Sequence, residues 1–176
     1  MIDELQRAKE LFLTYLGSTV HMHREGIFEE YRSYQVSQPL EAEWFNEMVG
    51  AYTKELSIMN WQAVERLASI AKHYSEPLIL ENVIAFVSRH LMSADSMVRL
   101  MYGERMIDLI KNLRKGMPGE LLYRAYKTTI ELLEDVIAKP LVIDPGHDLQ
   151  LFQLRDKKAL NNRARRSIEE LNDYIN

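Results

Sequence analysis

The 176 residues carry 22 Lys and Arg against 26 Asp and Glu, a formal net charge of −4, with 47% hydrophobic and 27% charged residues. That composition excludes a disordered, collagenous or uniformly basic nucleic-acid-binding chain, and the length suits one domain with its own core. No cysteine is present, so disulfides, thiolate zinc sites and cysteine nucleophiles are excluded together.

The chain opens Met1-Ile2-Asp3-Glu4, too acidic for the positive start of a signal peptide. Its longest apolar run, Pro77 to Val87, is broken by Glu81 and Asn82. The expectation is a soluble cytoplasmic protein that does not enter a membrane.

Apolar residues recur at three- and four-residue steps almost throughout, and sustained strict alternation is absent. The first stripe is Leu5, Ala8, Phe12, Tyr15, Leu16 and Val20; a later one is Val98, Met101, Tyr102, Met106, Leu109, Ile110 and Leu113. Each places one face against a core. The fold class is all-α, with helices predicted near 2–23, 27–34, 39–57, 61–73, 77–92, 95–115, 119–138 and 150–175. Pro39, Pro77 and Pro118 stand at helix starts, Asn60 and Asp95 at N-caps, and Gly116, Pro140 and Asp144-Pro145-Gly146 at breaks. The segment Ile79–Val87 leaves little of its circumference polar and is predicted to run through the middle of the fold.

Ser37-Gln38-Pro39-Leu40 is echoed by Ser75-Glu76-Pro77-Leu78, and Pro118 follows at a similar interval. This spacing resembles HEAT or armadillo-type helical repeats. The resemblance implies an α-α superhelix of helix pairs over 37–176 behind an N-terminal helical cap, 1–36, within one domain. It departs most in the third unit, where Met117-Pro118-Gly119 lacks the serine. An antiparallel helical bundle would use the same amphipathic helices.

Functional groups are densest between His21 and Tyr34. His21 and Glu25 share a face on a continuous helix, as metal ligands or an acid–base pair require, but His23 points elsewhere and no third ligand is identifiable. Glu29, Glu30, Tyr31 and Tyr34 form the candidate partner-binding surface, tyrosine supplying contact area at small entropic cost. Near the C-terminal helix, Arg155, Lys157, Lys158, Arg163, Arg165 and Arg166 form a basic cluster suited to an acidic protein or to phosphates. No aromatic residue is interleaved with these bases to stack on nucleotides. His147 lies between two carboxylates in Asp144-Pro145-Gly146-His147-Asp148, where Asp148 suits a helix N-cap and Gly146 an unusual φ.

Nucleophile elbows, phosphate-binding glycine loops, dinucleotide fingerprints and His-Glu-x-x-His helices are absent. No catalytic residue, metal or cofactor is expected. The reading is a helical adaptor or regulator that binds another protein. Its rival is nucleic-acid binding through the basic C-terminal helix, extending to DNA processing by analogy with HEAT-like DNA glycosylases.

Overall fold

The computed structural model describes residues 3–176, and every ordered element among them is helical. The α-helices are α1 (Glu4–Thr14), α2 (Thr19–Arg24), α3 (Phe28–Ser33), α4 (Gln38–Glu55), α5 (Gln62–Ala71), α6 (Pro77–His90), α7 (Ser96–Leu113), α8 (Gly119–Ala138) and α9 (Lys157–Ile175). No helix among the described residues is long and apolar enough to cross a membrane. The chain divides into two compact units, with the boundary between Lys54 and Glu55.

In the N-terminal unit the helix expected from residue 2 to 23 is interrupted, and its first residue, Ile2, lies outside the described ones. Leu16 and Gly17 both adopt positive φ, 52° and 71°, which stops α1. Ser18 then restarts the helical path, its Oγ accepting from the His21 amide at 3.1 Å. Of the predicted stripe Ala8 and Phe12 are buried, whereas Leu5 and Val20 are exposed, and beyond the break Met22 takes the inner position. Ala8, Leu11, Phe12, Met22, Tyr31, Trp44, Phe45, Met48 and Val49 form this unit's core. Phe12 meets Trp44 edge to face at 5.7 Å, and Lys9 pairs with Glu47 at 2.8 Å, so α1 and α4 are joined by packing and charge.

In the C-terminal unit the central element is α7, which packs on α5, α6, α8 and α9. Thirteen of its residues are buried, from Ser96 to Leu113. This corrects the expectation that Ile79–Val87 is the innermost segment. On α6, Ile79, Leu80, Val83, Ile84 and Val87 are buried, but Glu81, Ala85, Ser88 and Arg89 face solvent. Arg99, Glu104 and Arg105 lower the apparent hydrophobicity of α7; all three meet opposite charge, Arg99 beside Asp95 and Asp135, Glu104 with Arg163 and Arg105 with Asp108 at 3.3 Å. Gly103 sets the closeness of α7 to α8, since a Cβ there would stand 2.5 Å from Leu133 Cδ2. Tyr102, fully buried, ties α7 to the segment before α5: its hydroxyl donates to the Ser57 carbonyl at 3.0 Å and accepts from the Ser57 amide at 3.2 Å.

The last predicted helix, 150–175, is two elements. A short 3₁₀ turn covers Leu149–Phe152, capped by Asp148, whose carboxylate accepts from the Gln150 amide at 2.9 Å. Gln153 then takes φ 58°, and Asp156 caps α9 through the Ala159 amide at 2.9 Å.

Candidate functional site

The basic cluster divides once its partners are placed. Lys157, at the first turn of α9, donates through Nζ to the carbonyls of Val136 and Ile137 and to Asn161 Oδ1. It closes the C-terminal end of α8, where a cation meets exposed carbonyls and the negative end of the helix dipole. Burial, with Arg99 and Arg165 nearby, pushes its pKa down. Arg163 forms a forked pair with Glu104, both contacts at 2.7 Å, and its guanidinium lies 5.5 Å from the Phe152 ring centroid. That hydrogen-bonded pairing raises the Arg163 pKa. Both cations thus hold the C-terminal unit together.

Arg155, Lys158, Arg165 and Arg166 are exposed, and none forms an ion pair with a described residue. Arg165 donates to Asn162 Oδ1 at 3.1 Å. Lys158 and Arg165 are seven residues apart, two helical turns, and share a face. A crevice of about 430 Å³ is lined by Phe152, Gln153, Leu154, Arg163, Arg166, Ser167 and Glu170, and takes in Arg166 alone of the four exposed cations. Further along α9 the exposed groups turn acidic, with Glu169, Glu170 and Asp173.

Of the candidate surface in the N-terminal unit, one residue is internal and two are tied to neighbours while half-exposed. Tyr31 is buried in the core. Glu30 accepts from Arg7 Nε at 2.8 Å and from the Tyr34 hydroxyl at 2.8 Å. The Arg7 hydrogen bond, seconded by that of Tyr34, holds the Glu30 carboxyl below its ordinary range, while Glu30 pushes the Tyr34 phenol up. Glu29 alone of the four is fully exposed. His21 Nε2 and Glu25 Oε1 stand 3.9 Å apart at the surface, and His23 stacks on Phe28 at 6.0 Å.

A further constellation joins residues about fifty positions apart. Asp95 is the N-cap of α7, its Oδ1 accepting from the Val98 amide at 2.8 Å. Its Oδ2 accepts from the Asp144 amide at 2.9 Å and meets His147 Nδ1 at 2.5 Å. Ser96 fastens the same connection, its amide donating to the Val142 carbonyl at 2.8 Å and its Oγ accepting from the Val142 amide at 3.0 Å. The His147 ring lies 5.2 Å from that of Trp61, which also meets Phe152 at 5.6 Å. The sequence marks Asp95 as a cap and His147 as a turn residue; nothing in their local spacing shows that one carboxylate serves both.

No family model matches the chain, and no curated protein or solved structure matches it.

Proposed function

We propose that the protein is a helical binding module without catalytic activity, which engages an acidic segment of a partner protein through the basic first half of α9. The observation that supports this reading is the division among the six cations. Lys157 and Arg163 are taken up inside the unit, whereas Arg155, Lys158, Arg165 and Arg166 face water without a carboxylate partner among the described residues. Four like charges on one short stretch repel one another, and an acidic partner relieves that repulsion. The adjoining crevice at Phe152, Leu154 and Arg166 offers mixed polar and apolar contact.

A protein partner fits better than a nucleic acid. Glu169, Glu170 and Asp173 continue the exposed face of α9, and a phosphate backbone running along it would meet them. The aromatic nearest the cations, Phe152, is half-buried beneath the Arg163 guanidinium and offers no open platform for a base. Stacked helix pairs of HEAT or armadillo type would serve the same end by extending the contact face.

The test is affinity capture from native lysate, with and without nuclease, using the wild-type chain and a variant with Arg155, Lys158, Arg165 and Arg166 all changed to alanine. The expected result is one protein recovered in both wild-type lanes, lost from the variant and weakened by salt. Recovery that disappears with nuclease would transfer the basic face to nucleic acid. Equal recovery by the variant would remove α9 from the contact.

A further inference from the structure

Among the described residues, one set of three potential metal donors converges: Asp95, Asp144 and His147 each offer an atom within 4.8 Å of the others. We propose that these three residues bind a first-row divalent cation of the zinc class. This site is separate from the α9 face and does not depend on its reading.

The donor set selects the cation. One imidazole with two carboxylates suits zinc, cobalt and manganese, whereas calcium and magnesium take oxygen ligands alone. Three protein ligands leave a fourth position open, as tetrahedral zinc permits. Charge points the same way. Two carboxylates face a single imidazole, and the Asp144 carboxylate accepts no hydrogen bond from any described residue. Arg99 interacts with Asp95 through charge, but its one hydrogen bond there is from Nε to the Asp95 main-chain carbonyl at 3.5 Å, so neither carboxylate of the set is capped by it. Asp95 is also held firmly by its N-cap bond to Val98, and its side chain is fully buried.

Between Asp95 and His147 a small movement separates the present geometry from a liganded one, and the Asp144 carboxylate, within 4.8 Å of both, closes in by rotating its side chain. Asp95 Oδ2 and His147 Nδ1 are 2.5 Å apart, sharing a hydrogen bond. Zinc bonds of about 2 Å at tetrahedral angles place such atoms roughly 3.3 Å apart. The ring therefore shifts by somewhat under about 1 Å on its turn, whose Gly146 takes φ 90°. The metal replaces the proton between Nδ1 and Oδ2. A neutral ring carries that proton on Nε2 instead, and an imidazolium releases one proton to solvent.

The test is calorimetric titration of the full chain with Zn²⁺, then with Mn²⁺, backed by elemental analysis after desalting. One equivalent of zinc per chain is expected, bound more tightly than manganese. Asp144→Asn and His147→Gln are each expected to weaken zinc by at least about tenfold, while His21→Ala leaves it unchanged. Circular dichroism confirms that the variants fold. A second readout uses Co²⁺ and tryptophan fluorescence: quenching should survive Trp44→Phe and be lost in Trp61→Phe, since Trp61 lies against His147. Equal zinc affinity in the wild type and the Asp144 and His147 variants would overturn the proposal. So would loss of binding in His21→Ala alone. In either case the Asp95–His147 contact is a hydrogen-bonded tie only.

Discussion

Glu30 in the N-terminal unit and Asp95 in the C-terminal unit are both acids with several donors, in opposite surroundings. Glu30 accepts from Arg7 and Tyr34 with more than a third of its side chain open to water. Asp95 accepts from Val98, Asp144 and His147 with none of its side chain exposed. When the Glu30 network is broken, water takes the place of the lost partner. Asp95 itself is closed to solvent, so the buried Val98 amide carries its full desolvation penalty when orphaned, and the half-buried Asp144 amide part of it. A count of hydrogen bonds alone does not rank the two.

The contrast is broken most directly at its buried end. Asp95→Ala removes the α7 cap and leaves the Val98 and Asp144 amides without their acceptor; a loss of about 3 kcal/mol in chemical denaturation is expected. Asp95→Asn keeps an N-cap oxygen and is expected to cost about half as much.

Tyr102→Phe comes next, at about 1 kcal/mol, because the half-buried Ser57 amide and carbonyl lose their partner. It also has a pH signature. Burial raises the Tyr102 phenol from 10.0 to about 12, so the folded state favours the neutral form. Its contribution is complete below pH 10 and is lost as pH rises towards about 12. Stability measured from pH 9 to about pH 12 should fall less steeply in the phenylalanine variant.

Arg163→Lys tests the intermediate case. The ammonium cannot reproduce the forked contact with Glu104, and a loss of about 1 kcal/mol is expected for this partly exposed pair.

Glu30→Gln sets the floor. The amide retains an acceptor for Arg7 or Tyr34, and the unfolding midpoint at neutral pH should barely move. Because the Glu30 carboxyl is held below its ordinary range, its contribution is present above that range and lost as pH falls through the lowered value. The variant should therefore differ from the wild type least in acid. A large neutral-pH loss in Glu30→Gln, matching Asp95→Ala, would sink the distinction between the two surroundings.

What the sequence reveals follows the range of the interactions concerned. Helical period and caps act over a few residues, and the Asp95, Asp148 and Pro77 signals stand where the structure uses them. The break at Leu16-Gly17 escapes that reading, because apolar residues continue at helical spacing across it although Val20 beyond it is exposed. The burial of α7 is equally obscured. Hydropathy scores Arg99 and Glu104 as exposed, although the fold supplies their partners from distant segments. Composition finds the α9 cations as a group and cannot separate Lys157, which caps α8, from Lys158, which faces water. The pairing of Asp95 with His147 spans 52 positions and has no local mark.

The double fastening of α7 to the 139–148 connection also has a kinetic meaning. The Ser96, Val98, Val142 and Asp144 amides are all satisfied across this one junction or by Asp95 itself. None of them is released singly without stranding another. They should exchange with deuterated solvent as one cooperative group, at the opening rate of the junction rather than of the whole unit. A protease that cuts the connection would then report on the first turn of α7, a helix it never touches.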